Sequence, residues 1–146
     1  MAATNHSVMT KHFVSTRYNE GMAFTSDING HALRTDTSAD DGGNDSGPSP
    51  KRLMLAAFAG CTGIDIVSIL NKMKVAFSDL SIDVHAALSN EHPKIYNYVK
   101  VTYKIRLAGD DRPKMAKAVS LSQETYCGVA AMFRAFAKVD VEIDFL

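Results

Sequence analysis

The sequence has no excess of charge of either sign. Sixteen lysines and arginines balance sixteen aspartates and glutamates, so the formal net charge at pH 7 is zero. A nucleic-acid-binding domain needs a clustered basic face, and none is visible, so we expect no nucleic-acid partner. The first residues also lack the basic segment and apolar core of a signal peptide. These absences predict a cytoplasmic protein.

Cysteine is scarce, with only Cys61 and Cys127 in 146 residues. Two cysteines do not make a disulfide scaffold, and in a reducing compartment they are either inert core residues or a redox couple. No C-x-x-C motif is present, and the five histidines lack metal-ligand spacing, which argues against zinc. A phosphate-binding G-x-x-x-x-G-K-[ST] loop is also missing. We therefore expect neither a metal nor another cofactor.

A long apolar helix is predicted over residues 49–74. Ser49 is a suitable N-cap, and Pro50 fits the first helical position. No charged residue occurs from Leu53 to Ile64, and a helix that is apolar on all sides is normally buried in a core or an interface. Asp65 interrupts the run before the roughly 20 apolar residues of a bilayer span, so we expect no membrane association.

Alternation of apolar and polar residues predicts strands on both sides of this helix. Three precede it, and an Asn-Gly pair at 29–30 indicates a hairpin between the second and third. The predicted elements are strands 8–18, 23–28 and 31–36, a polar loop 36–48, strands 80–88 and 96–107, helices 111–121 and 123–137, and strand 139–146. Ser122 resembles an N-cap for the second of these helices.

The predicted order βββ–α–ββ–α–α–β contains hairpins rather than βαβ units. That order indicates a single domain of the α+β class, with an antiparallel sheet and helices packed on one side.

Local sequence makes neither thiol reactive. Cys61 lies roughly 16 Å from the start of its helix, beyond the reach of the helix dipole, and would need a cation to hold a thiolate. Asp65 follows one turn later, where a carboxylate would raise the thiol pKa, and we favour a structural hydrogen-bond acceptor role for it. Lys51 and Arg52 are unusual in a first turn. Either they are a surface pair neutralised by the aspartates upstream, or one of them faces the thiols.

Two segments together resemble the OsmC/Ohr family. They are GPSPKRLMLAAFAGCTGIDIV at 47–67 and LSQETYCGVAAM at 121–132, and the first is closest to the branch whose central helix contains GPSP…LLLAALGGCTGIDV. The resemblance extends over nearly the whole chain, including the order of elements and the turn at 92–94. It implies an intertwined homodimer in which two sheets surround a pair of long central helices. It also implies thiol peroxidase chemistry on organic hydroperoxides, with Cys61 as the peroxidatic thiol, Cys127 as the resolving thiol and an external dithiol as the reductant.

The chain departs from this family at the charged groups. The family places a glutamate just after the proline that opens the central helix, and Lys51 and Arg52 stand there instead. The family arginine from the N-terminal strands corresponds to Arg17 or Arg34, although neither has the family's Gly-Gly-Arg context. Our hypothesis is that Arg52 substitutes as the thiolate partner, with Arg17 as the other candidate catalytic cation.

These features leave more than one function open. The leading hypothesis is thiol-dependent reduction of organic hydroperoxides in oxidative stress defence, with apolar residues near the thiols (Met54, Phe58, Met132, Phe133) favouring organic substrates. The alternative is a non-catalytic dimer of the same fold that binds a small hydrophobic molecule and has lost the activating Glu/Arg pair. A third is a purely structural dimer with unreactive thiols.

Overall fold

The computed structural model describes residues 9–146, so the predicted start of the first strand at Val8 lies outside the described residues. The chain divides into two compact units, one ending at Pro50 and the other running from Lys51 to Leu146. The order of strands and helices in the described chain is βββ–α–ββ–α–α–β, which confirms the predicted order and the α+β class.

The first unit is built on an antiparallel sheet. Its strands are β1 (Val14–Glu20), β2 (Ala23–Ile28) and β3 (His31–Thr35), hydrogen-bonded in that order. Asn29 and Gly30 have φ angles of 55° and 82°, the left-handed conformation that a type I′ turn requires at both central residues. The predicted hairpin is therefore confirmed.

The polar loop after β3 is organised around the buried carboxylate of Asp36. This carboxylate accepts hydrogen bonds from the amides of Thr37 (2.7 Å), Asn44 (3.3 Å) and Ser46 (3.1 Å) and from the Ser46 hydroxyl (2.5 Å). The Ser46 hydroxyl and the amides lower the pKa of Asp36 from 3.8 to about 2. A segment predicted only as a loop is thus held by one ionised side chain.

The second unit contains a long helix, a three-stranded sheet and two short helices. The elements are α1 (Pro50–Lys72), β4 (Phe77–Leu88), β5 (Tyr96–Leu107), α2 (Arg112–Leu121), α3 (Gly128–Arg134) and β6 (Lys138–Phe145). β4 is antiparallel to β5, but β6 runs parallel to β5. This sheet is therefore mixed and not antiparallel as expected, because α2 and α3 carry the chain back between β5 and β6.

The core of this unit lies between β5 and one face of α1. Alternate residues of β5 are fully buried, as the alternation predicted, and so is every fourth residue along α1. The buried residues are Val99, Val101, Tyr103 and Ile105 on β5, and Phe58, Thr62, Ile66 and Leu70 on α1. On the outer face, Lys100 and Lys104 form ion pairs of 2.7 Å with Glu142 and Asp83.

The opposite face of α1 is exposed in the single chain. Ile64, near its centre, is 73% exposed. With 23 residues, α1 is long and apolar enough to cross a membrane by length and composition, so the expectation that Asp65 makes it too short is wrong. Its buried stripe nevertheless packs against β5, as the core helix of a globular domain does.

Candidate functional site

Folding brings the two cysteines together. Cys61 lies in the middle of α1 and is half-buried, and Cys127 immediately precedes α3 and is 4% exposed. Both thiols are free, and Cys61 lies close enough to Cys127 to raise the pKa of its thiol. The two cysteines are thus neighbours, one in the middle of α1 and the other at the start of α3.

Cys127 has a strongly perturbed thiol. Burial, together with the neighbouring Cys61 and Asp65, raises its pKa from 9.0 to about 11, although the Ala130 amide, which donates to Sγ at 3.3 Å, opposes the shift. The net effect is a thiol that stays protonated at neutral pH.

The helix that carries Cys127 differs from the prediction. Residues 123–137 were expected to form one helix capped by Ser122, but Ser122–Tyr126 form a π-helical turn and α3 begins only at Gly128. Cys127 is the N-cap of α3, and Ser122 has helical φ and ψ angles of −61° and −52°. Ser122 does not cap because its hydroxyl is engaged elsewhere in the core.

A chain of buried hydroxyl groups links α1 and β5 to this turn. The Thr62 hydroxyl lies 2.6 Å from the Tyr103 hydroxyl and 2.7 Å from the Ser122 hydroxyl. Ser122 in turn donates to the Asp65 carboxylate at 2.9 Å, and the Gln123 amide donates to Tyr103 at 2.6 Å. This confirms the predicted role of Asp65 as a structural acceptor.

The direction of these hydrogen bonds follows from donor counting. An ionised carboxylate only accepts, so the single proton of Ser122 is committed to Asp65. Thr62 must then donate to Ser122, and Tyr103 must donate to Thr62 while accepting from Gln123. Every hydroxyl in the chain is therefore used as both donor and acceptor.

Two further contacts lock the π turn at its other end. Arg134 donates to the backbone carbonyl of Gln123 and, at 3.0 Å, to its side-chain oxygen. Burial raises the pKa of Tyr103, and the neighbouring Cys127 adds to that shift, so the tyrosine remains a donor. Sequence reasoning missed this network. The one sequence feature that indicated the network is that Thr62 and Tyr103, which both carry a hydroxyl group, occupy positions where the apolar pattern predicts core residues.

The candidate cations lie at different places. Arg52 precedes Cys61 by nine residues on α1, which corresponds to about 14 Å along the axis and about half a turn around it. Within one chain the two side chains therefore start on opposite faces of α1. Arg17 lies on β1 opposite Thr25, in the first unit. In residues 9–146 no three histidine, cysteine or acidic side chains are grouped closely enough to bind a metal.

The apolar residues expected near the thiols fall into two groups. Phe58 and Phe133 are buried, with ring centroids 4.9 Å apart, and Phe133 also packs on Phe136 at 5.1 Å. Met54 and Met132 are 44% and 64% exposed. Two of the four expected residues are thus part of the core, and the other two lie at the surface.

A family model and a relative of known sequence each match most of the described chain. A family model described as OsmC-like protein matches residues 42–142. The protein YhfA of Escherichia coli K12 is 31% identical over 114 residues, which cover 77% of this chain and 82% of YhfA.

Solved structures share the fold. A hypothetical protein from Aquifex aeolicus superposes with a TM-score of 0.82 at 24% identity, covering 94% of this chain and 98% of that protein. A Legionella pneumophila protein described as an organic hydroperoxide resistance protein OsmC has a TM-score of 0.68 at 16% identity, covering 94% and 99% of the two chains. At these identities the likeness concerns the fold alone.

Replacing Tyr103 by Phe tests the hydroxyl chain. The change removes the partner of the Gln123 amide inside the core, and we expect the free energy of unfolding to fall by about 1–3 kcal/mol. Tyr98→Phe is the matched control on the same strand, because its hydroxyl donates to Asp140 at 2.9 Å on the outer face, where water can replace it. The free energy of unfolding is measured by urea denaturation. If it falls equally in the two variants, the hydroxyl groups around Tyr103 do not form a buried network in which each group has a partner.

The raised pKa of Cys127 predicts an unusual pH profile of alkylation. In a Cys61→Ser variant, where burial still acts on the remaining thiol, the iodoacetamide rate should keep rising beyond pH 9, since only the thiolate reacts. The same variant in urea serves as the control and should level off above the ordinary thiol pKa of about 8.5. A native profile that levels off below pH 9 would show that burial does not govern this thiol.

Proposed function

The chain belongs to the family of OsmC-like proteins, and from this premise we propose that it reduces organic hydroperoxides through Cys61 and Cys127. Solved proteins of the same fold include ones named for organic hydroperoxide resistance, which supports a hydroperoxide-related redox role. The observation that carries the proposal is the closeness of two free thiols, one buried and the other half-buried.

The environments of the two sulfurs support different roles for them. Cys127 is buried and has a pKa of about 11, so it is a poor nucleophile at neutral pH. Cys61 is only half-buried and is therefore the thiol that a substrate can approach. We assign the attack on the peroxide to Cys61 and the resolving step to Cys127.

The reaction then balances in three steps. The Cys61 thiolate attacks the terminal peroxide oxygen, the O–O bond breaks, and Cys61 becomes a sulfenic acid while the departing alkoxide takes a proton from water and leaves as the alcohol. Cys127 displaces the hydroxyl group, which takes the Cys127 proton and departs as water, leaving a Cys61–Cys127 disulfide. An external dithiol in the cytoplasm reduces this disulfide by thiol exchange.

A positive group is needed to hold Cys61 as a thiolate. We propose an arginine in this role, either Arg17 or Arg52, and within one chain Arg52 starts on the face of α1 opposite Cys61. An arginine suits the role because its charge is permanent at any working pH.

We also propose that the protein works as a homodimer. The residues of α1 opposite its buried stripe form an uncharged face, which we call the outer face of α1: Ala57, Gly60, Ile64, Ser68 and Asn71. The space around Gly60 is open, with no atom within 4 Å of a Cβ placed there, so a second helix can approach closely. A second copy of α1 fits this face and covers Ile64.

The non-catalytic alternative is not favoured. Relatives with this fold are named for resistance to organic hydroperoxides, and the two thiols of this chain are adjacent.

The decisive experiment follows both thiols during exposure to cumene hydroperoxide. Wild-type protein should consume one equivalent in the absence of reductant and gain a Cys61–Cys127 disulfide, detected by mass spectrometry. Cys61→Ser should lose the reaction. Cys127→Ser should stop at a sulfenic acid that dimedone traps, because the resolving thiol is missing. Wild-type thiols that remain unmodified would overturn the proposal.

The same assay separates the two arginines. Substitution by Met at the residue that holds the thiolate should slow both peroxide consumption and Cys61 alkylation at pH 7 by at least about tenfold. If Arg52→Met leaves the alkylation profile from pH 5 to 9 unchanged and Arg17→Met does not, Arg17 is the partner. If neither variant slows the reaction, no arginine of this pair activates Cys61.

The dimer is tested by placing a charge on the outer face of α1. Ile64→Glu should weaken dimerisation at least about a hundredfold, because burial of an isoleucine contributes about 1.5–3 kcal/mol in each of two copies. Leu146→Glu, at a residue 50% exposed outside that face, should leave the dimer intact. Sedimentation velocity gives the mass, and a wild-type monomer or an unaffected Ile64→Glu dimer would contradict the assignment.

A further inference from the structure

A second concave site lies in the Lys51–Leu146 unit, at the start of α1. It has a volume of about 420 Å³, within the range of about 300–1,000 Å³ that is usual for small-molecule sites. Its lining consists of Met54, Tyr96, Ile95 and Phe136 together with two lysines, Lys51 and Lys94. We call it the lysine pocket.

The lysine pocket combines an apolar interior with positive charge. Met54, Ile95 and Phe136 are each at least 40% exposed, so three large apolar side chains face open space. Within residues 9–146, neither Lys51 nor Lys94 forms an ion pair with an acidic side chain. Two cations beside an apolar surface, without a carboxylate partner, complement a ligand that has an anionic head and an apolar tail.

The position of Lys51 is otherwise unfavourable. A cation in the first turn of a helix is repelled by the positive end of the helix dipole. An anion bound at that end would be stabilised both by the dipole and by the lysine charge, so a ligand there relieves the repulsion.

The lysine pocket also lies along the same side of α1 as the thiol. Lys51, Met54, Phe58 and Cys61 are spaced by three, four and three residues, which places them within about 80° of one another around the helix. Lys51 and Cys61 are about 15 Å apart along the axis. Phe58, which lies between them, is buried in the core, so the pocket and Cys61 are separated on this side of α1.

We infer that the lysine pocket binds a medium-chain carboxylate, with the head group between Lys51 and Lys94 and the tail on Met54 and Phe136. As a binding site it is independent of the thiol chemistry.

Calorimetric titration with decanoate, below its micelle concentration, tests the inference. The protein carries Cys61→Ser, so no redox chemistry intervenes and a failed peroxidase assay leaves the result valid. We expect saturable binding of decanoate, with decan-1-ol binding at least about tenfold more weakly because it lacks the charge. Lys51→Gln and Lys94→Gln should each weaken decanoate binding about tenfold and leave decan-1-ol unaffected.

Two further variants make the outcome specific. Lys117→Gln, at an exposed lysine of α2 outside the pocket, should leave both affinities unchanged. Met54→Ser should weaken both ligands, because it removes part of the apolar lining. Equal affinity for decanoate and decan-1-ol, insensitivity to both lysine substitutions, or no saturable binding at millimolar concentration would overturn the inference. The inference would also be overturned if the lysine substitutions changed the oligomeric mass and not the affinity for decanoate, because this surface would then be part of the dimer interface and not a ligand site.

Discussion

The hydrogen bond between Thr62 and Ser122 is the contact on which the geometry of the thiols depends. It joins the middle of α1 to the π turn, and each of these segments carries one cysteine directly beside it in sequence. The hydrogen bonds to Tyr103 and Asp65 fix which group donates and which accepts at every step, because the carboxylate only accepts. In a low-dielectric core, a hydrogen-bond network in which every polar group has a partner is stiff. Removing one hydroxyl group leaves its neighbour buried without a partner, which destabilises the fold.

This rigidity explains how two ordinary cysteines acquire different chemistry. The π turn places Cys127 at a helix N-cap, where an amide donates to its sulfur, yet burial dominates and keeps the proton on. π-helical turns are rare and often occur at functional sites. Cys61 lies on a long regular helix without a charged neighbour in the preceding two turns. A cation that activates it must therefore reach it from farther along α1 or from another segment.

The elements that sequence reasoning predicted well are those with a strong period. The alternation of β5 identified its buried face, and the Asn29–Gly30 turn identified the first hairpin, because each signal is local. The errors came from long-range contacts. A serine that caps a helix and a serine that bonds a carboxylate 57 positions earlier have the same local sequence, so Ser122 was misjudged. The parallel pairing of β6 also depends on where two helices carry the chain, which alternation does not encode.

The exposed side of α1 poses one remaining physical question, because a helix of this length and composition can be stable in either of two surroundings. In a bilayer, Thr62, Asp65 and Ser68 near its middle would have to find partners in hydrocarbon, and a carboxylate there costs about 2.5–3.5 kcal/mol or more. In this fold, Thr62 and Asp65 already have their partners on β5 and the π turn. The part of α1 that remains uncovered is a narrow uncharged strip centred on Ile64. Most of its side chains are small, which suits the close approach of another helix better than contact with lipid. In the homodimer proposed above, the same all-round apolar pattern would face protein on both sides of the helix.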